Sequence, residues 1–182
     1  MQIVGGTKKG AKLSSVKGDS TRPILDRVKT ALFDTIRNDI QGKTFLDLFG
    51  GTGSVGLEAL SQGAKYVTFI DINTNAISTI HENTKKLGFL SQAKIMQKDS
   101  FKFLKANESP FDIIFVAPPQ YKDMWIKAMQ IIDEKIDVLK PEMIIVQIDP
   151  KEIKEFPLNN ISLSNQKRYG NTILLYYQRE AK

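Results

Sequence analysis

The stretch Asp47-Leu48-Phe49-Gly50-Gly51-Thr52-Gly53-Ser54-Val55-Gly56 constrains this chain more than any other. The apolar run Thr44-Phe45-Leu46 precedes it, and the helical pattern Leu57-Glu58-Ala59-Leu60 follows. The order is strand, tight glycine turn, helix start. Glycines admit positive φ and let a ligand approach where a Cβ would collide. The unpaired N–H groups of the first helical turn then face that ligand. The spacing Gly51-x-Gly53-x-x-Gly56 satisfies the dinucleotide-type fingerprint. A glycine turn with only structural duty satisfies it too, so the flanking residues must decide. Asp71 ends the next apolar run, Tyr66–Ile70, at about the twenty-residue offset of a ribose-binding acid. Asp47 stands immediately before the glycines. A carboxylate there is poorly placed for a pyrophosphate and well placed for a ligand carrying positive charge.

Around this stretch the pattern alternates. The apolar positions Leu25, Val28, Leu32, Phe33 and Ile36 predict a helix over 24–39. Strands are expected over 44–49, 66–71, 94–97, 111–116 and 143–148. Helices are expected over 54–62, through Ile77, Ile80 and Leu87 up to Gly88, through Phe101 and Leu104, and over 123–138. The tail, with Ile161 and Leu163 and then Ile173–Tyr177, reads as an antiparallel pair around a turn near 169–171. The expected fold is α/β: a mostly parallel seven-stranded sheet, helices on both faces and an antiparallel C-terminal pair. In such sheets ligands lie at the carboxyl ends of the strands. Asp47, Asp71, Asp99 and Pro118-Pro119 all fall at those ends.

A chain of 182 residues is most simply one globular unit. We expect a methyltransferase-sized body over 24–182 preceded by a basic arm or hairpin over 1–23. No apolar run approaches the ~20 residues of a membrane span. With no cysteine and one histidine, His81 on the polar side of its helix, no thiolate or histidine metal site is expected, and a cytoplasmic location fits. The net charge of +6 is uneven: residues 1–30 hold seven basic side chains against two acids. A basic arm on a near-neutral body suits a polyanion such as RNA, and it also suits a merely solvated terminus.

Each candidate has a plainer alternative. Asp71 and Asp99-Ser100 can cap the helices that follow them. Alternatively, Asp71 can accept hydrogen bonds from two ribose hydroxyls. Ala117-Pro118-Pro119-Gln120-Tyr121 follows a strand buried on both faces, and two prolines fix a rigid extended turn there.

Asp-x-Phe-x-Gly-x-Gly at 47–53 resembles motif I of the class I S-adenosylmethionine (SAM) methyltransferases. The Pro-Pro turn resembles the [Asp/Asn/Ser]-Pro-Pro-[Tyr/Phe] motif of enzymes that methylate exocyclic amines. Here Ala117 occupies the polar position, Gln120 the aromatic one, and Tyr121 comes one place late. The whole chain is similar to the RsmD-type family of bacterial small-subunit rRNA guanine-N2 methyltransferases. The similarity runs through Ile3-Val4-Gly5-Gly6-x-x-Lys9-Gly10-x-Lys12-Leu13, Arg22-Pro23-x-x-x-Asp26-Arg27-Val28-Lys29-x-x-Leu32-Phe33, the glycine loop with Gly56-Leu57-Glu58-Ala59-Leu60, Tyr169-Gly170 and Tyr177-Gln178-Arg179-Glu180. The resemblance implies a Rossmann-like methyltransferase fold, SAM as methyl donor with S-adenosylhomocysteine (SAH) as product, no metal, and small-subunit rRNA as partner of a monomer. It places SAM against Asp47, Phe49, Gly50, Gly51, Thr52, Gly53, Asp71, Ile72, Asp99 and Ser100. It places the target base against Ala117, Pro118, Pro119 and Tyr121, and the RNA backbone on Lys8, Lys9, Lys12, Arg22 and Arg27. Two other readings stay open: an RNA-binding relative that keeps SAM but is weakened at Ala117, and an NAD(P)-dependent oxidoreductase.

Overall fold

The computed structural model describes residues 1–17 and 24–180. Its centre is a seven-stranded sheet. The strands are β1 (Thr44–Asp47), β2 (Tyr66–Asp71), β3 (Ala93–Gln97), β4 (Ile113–Val116), β5 (Met143–Ile148), β6 (Ile161–Tyr169) and β7 (Thr172–Arg179). Their spatial order is β3-β2-β1-β4-β5-β7-β6. The first five pair in parallel; β7 runs antiparallel to both β5 and β6. This is the expected sheet, and β1 and β4, adjacent at its centre, form the switch point where the crossovers change direction.

The helices divide by face. α1 (Asp26–Thr35), α2 (Ser54–Ser61) and α3 (Thr74–Leu87) cover one side, burying Val28, Leu57 and Ile80 against Phe45, Phe69 and Phe115. α4 (Ser100–Ala106), α5 (Met124–Glu134) and α6 (Ile136–Leu139) cover the other, burying Leu104, Trp125 and Ile132 against Leu46, Ile114 and Val146. Successive strand residues point to opposite faces. The runs Ile113–Val116 and Ile144–Val146 are therefore apolar throughout.

Two helices differ from expectation. The expected 24–39 helix closes at Thr35; Ile36 and Ile40 remain wholly buried through a further turn in which Ile40 N–H donates to the Ile36 carbonyl. The expected 123–138 helix breaks at Lys135, whose ammonium donates to the carbonyls of Lys105 and Asn107 near the end of α4. A cation placed on terminal carbonyls satisfies groups that lack helical partners.

The N-terminal segment packs tightly on the body. Ile3 is fully buried, and Gln2 bridges antiparallel to Lys12. Glu58, buried in α2, accepts from Val4 N–H (2.8 Å) and Gly5 N–H (2.7 Å). Lys29, equally buried in α1, donates to the Gln2 carbonyl (2.6 Å) and lies 3.5 Å from Glu58. One cation counted in the basic N-terminal stretch is thus spent inside the fold.

Candidate active site

At the carboxyl ends of β1, β2, β4 and β5 the strands and their following loops enclose a cavity of about 390 Å³. That is within the range of small-molecule sites, roughly 300–1,000 Å³. Its floor is the glycine turn. Gly53, at φ 76°, starts α2, and its N–H donates to the Gly50 carbonyl (2.7 Å). Gly51 takes φ 55°, and a Cβ there would project into open space. At Gly50 a Cβ would lie 2.8 Å from Ile80 Cδ1, so a larger residue there would push the tip of that side chain aside. Gly56 lets α2 approach the sheet: a Cβ there would meet the Phe69 ring at 2.3 Å.

Three carboxylates line the cavity. Asp47 is only 2% exposed, and its Oδ2 accepts from Gly56 N–H (3.1 Å). Burial pushes its carboxyl up to about 7; the Gly56 bond opposes that, and the nearby Asp71 adds to it. Asp71 Oδ2 accepts from Gly51 N–H and Oδ1 from Asn73 N–H, both at 2.8 Å. The side chain thereby fixes the turn and still has a second lone pair on each oxygen. Asp99 caps α4 by accepting from Lys102 N–H (2.8 Å) while its side chain borders the cavity. Capping and cavity lining coexist in this residue.

The other walls are mixed. Ile72, 66% exposed, supplies an apolar surface beside Asp71. Phe49 and Phe101 form an edge-to-face pair, with ring centroids 6.2 Å apart, and the Lys127 ammonium lies 4.3 Å from the Phe101 centroid. Ser100 lines the cavity, and its hydroxyl donates to the Leu48 carbonyl (2.7 Å), tying α4 to β1. Ala117, Pro118, Pro119 and Gln120 close the end over β4. No lysine, arginine or histidine lines the cavity among the described residues.

Most of the expected site residues therefore converge on one cleft. Gly53 shapes the turn from behind it. Tyr121 stands outside the cavity walls: it is 64% exposed at φ 61°, its N–H donates to Glu152, and its hydroxyl donates to Asp149 Oδ2 (2.8 Å). These bonds hold the end of the Pro-Pro turn against the loop after β5. Lys8, Lys9, Lys12 and Arg27 are exposed, Arg27 beside the β6–β7 turn, and Arg22 lies outside the described residues. His81 is exposed on α3.

The lining also includes residues that the sequence reading did not assign to the site, among them Ile24, Phe101, Phe115, Met124 and Gln147. Gln147 had a legible signal, being the one polar residue within the strand Met143–Ile148. Asn83 on α3 was also missed. Fully buried, it accepts from Ser14 N–H (2.8 Å) and donates to the carbonyls of Ser14 and Thr52, joining the N-terminal segment to the glycine turn.

This strand order, with a glycine turn after β1 and acids closing β1 and β2, defines the class I methyltransferase fold. Residues 1–178 match the family described as Conserved hypothetical protein 95, and the chain belongs to that family, the RsmD-type methyltransferases. Among similar proteins, the "Putative rRNA methyltransferase YlbH" of Bacillus subtilis is 34% identical, covering 98% of this chain and 99% of its own. The "Ribosomal RNA small subunit methyltransferase D" of Haemophilus influenzae is 32% identical over 98% of this chain and 93% of its own. The solved structure of a "Putative methyltransferase yhhF" from Escherichia coli superposes with a TM-score of 0.87 at 29% identity, covering 100% and 99% of the two chains. No described helix is long and apolar enough to cross a membrane.

Proposed function

We propose that this protein methylates small-subunit ribosomal RNA on the exocyclic N2 amine of a guanine, with SAM as donor. The observation that carries the reading is the charge of the cleft: three carboxylates, no basic side chain among the described residues, and a rigid Pro-Pro turn at one end. A diphosphate-bearing cofactor would bring its negative charges beside those acids, whereas SAM carries an ammonium and a sulfonium and no phosphate. The open space over Gly51 and the carboxylates therefore fit the donor. SAM supplies a methyl group already activated by its sulfonium.

Asp47 would face the ammonium, in a site whose burial strengthens the attraction. Asp71 would accept from the ribose hydroxyls, Ile72 would cover the adenine, and Asp99 would accept from its amine. Phe49, Gly50, Thr52 and Ser100 complete the walls. The carbonyls of the Ala117–Pro119 turn, with no competing proline N–H, would accept from the target amine. Tyr121, exposed and anchored through its hydroxyl, offers its ring to the base. The exposed Lys8, Lys9, Lys12 and Arg27, together with Arg22, would contact phosphates, and the base must be presented unpaired. The names of the relatives, which speak of rRNA and the small subunit, support this substrate.

Transfer of a labelled methyl group from SAM to small-subunit particles lacking the modification tests the proposal, with Ala117→Asp run beside the natural protein. Label recovered as N2-methylguanine supports it. Label with Ala117→Asp alone would identify a silenced relative that still binds. No label with either protein would overturn the reading.

A further inference from the structure

We propose that Gln147 supplies the side-chain hydrogen-bond acceptor for the target amine that Ala117 lacks. The inference rests on the guanine-N2 reading and assigns the specificity of that same site.

The sheet places the two residues together. Val116 of β4 and Val146 of β5 are partners in parallel register, so Ala117 and Gln147 are the next residues along neighbouring strands. Alternation turns both to the face opposite Val116 and Val146. Both line the cleft. A methyl group at 117 leaves room beside it, and the longer side chain of the adjacent strand borders the same space.

The chemistry fits the placement. Gln147 Oε1 is buried without a hydrogen-bond partner among the described residues. Buried polar atoms in native folds are nearly always paired, so an orphan beside a ligand cleft points to a partner that arrives with the ligand. Rotation about the last side-chain torsion, which is broad and roughly two-fold, exchanges the amide oxygen and nitrogen and turns the oxygen toward the cleft. The oxygen gives up no hydrogen bond by moving, and the bond it gains from the target amine offsets the burial of Nε2 in its place. A neutral amide also suits the task. An amine nitrogen under methylation gains positive charge, and an oriented carbonyl dipole stabilises that charge as it develops. In the transfer one N–C bond forms and one C–S bond breaks. The amine gives up one N–H proton, which passes to water because neither an amide nor a proline carbonyl can hold it.

The test measures transfer to small-subunit particles by the natural protein, Gln147→Leu, and Gln147→Leu with Ala117→Asp. Gln147→Leu should lower kcat about ten- to a hundredfold, the scale of one lost hydrogen bond to a donor in the site. KM for the particle, SAH affinity by calorimetry and Tm should hold. Adding Ala117→Asp, which returns an acceptor from the neighbouring strand, should recover most of the loss. A second readout is the side-chain amide resonance of Gln147 in the SAH complex, which should shift with added guanosine and stay in place with inosine, which lacks the N2 amine. If the natural protein transfers and Gln147→Leu keeps its kcat, the Gln147 assignment falls and the function stands. A loss that Ala117→Asp does not repair, or one accompanied by weaker SAH binding, marks a packing role and also overturns the assignment. Absence of transfer by the natural protein removes the function and the assignment together.

Discussion

Asp47 holds a buried carboxyl whose pKa is raised to about 7, and this gives the protein a specific pH signature. In the unfolded chain the same group titrates near 3.9. Below that value both states are protonated and folding is indifferent to it. Between about 4 and 7 the folded state keeps a proton that the unfolded state has released, so stability falls as pH rises, and above 7 the cost is complete. A shift of some three units is worth about 4 kcal/mol as an order of magnitude. Asp47→Asn removes the ionisation and keeps an oxygen for Gly56 N–H. The ligand-free variant should match the natural protein near pH 4 and melt higher by up to about 10 °C at pH 8. A gap in melting temperature that does not change with pH would place the titration elsewhere. The cost has a functional counterpart: a bound ammonium should draw the carboxylate into its ionised form. SAH binding near pH 6.5 should then release protons, visible as a dependence of calorimetric enthalpy on buffer, and Asp47→Asn should abolish that dependence. The carboxylate at this position was legible in the sequence. Its burial was not, because it depends on how α2 seats over β1.

The turn between β1 and α2 shows what one element can carry from sequence alone. Its glycines and its start after Asp47 were readable, because each follows from local φ and sequence order. Its tie to Asp71, which the sequence offered as a ribose acceptor or a cap, emerges only once β1 and β2 are paired. The role of Gly56 needed the neighbouring strand. Its N–H serves Asp47, and its missing Cβ makes room for Phe69, which is fully buried in β2. Gly56→Ala should therefore cost about 1–3 kcal/mol in urea unfolding, the usual scale of overpacking. Gly56→Ala with Phe69→Leu should recover part of that cost. A double variant no better than the single would show that the helix, not the ring, resists the extra carbon. The break of the expected 123–138 helix at Lys135 was illegible for the converse reason. Apolar periodicity continues through Ile136, and only the carbonyls at the end of α4 explain the interruption. Gln147 falls between the two cases: a polar residue in an apolar strand was visible, but its pairing with Ala117 required the β4–β5 register.

Across the whole molecule, the N-terminal segment connects the basic surface to the cleft. It is held at one end by Glu58 and Lys29 and further along by Asn83, which also grips the Thr52 carbonyl in the glycine turn. The Met1 sulfur accepts from the Thr52 hydroxyl at 3.4 Å. The sequence offered an arm or a hairpin here; Gln2 and Lys12 bridge antiparallel, and the packing lays the segment as a strap across α1, α2 and α3. The buried pair is its weak point. Burial lowers the pKa of Lys29 against the opposing pull of the Glu58 and Asp26 carboxylates, so the ammonium depends on its partner. Glu58→Gln removes the buried partner of that ammonium and leaves it with the partly exposed Asp26 carboxylate, 3.9 Å away. It also replaces one of the two acceptor oxygens serving Val4 and Gly5. Breaking one side of such a pair costs about 3–5 kcal/mol. Lys29→Met with Glu58→Gln removes both charges and should be less destabilised than the sum of the single changes. The loss in Glu58→Gln should be local first: amide exchange should accelerate at Val4, Gly5 and Ser14 before it does in the sheet. SAH affinity should also fall severalfold although no cavity residue has changed, because Thr52 loses its support through Asn83. If exchange rose evenly across β1, β2 and β4 instead, the pair would be securing the entire fold, and the strap would have no separate hold on the cleft.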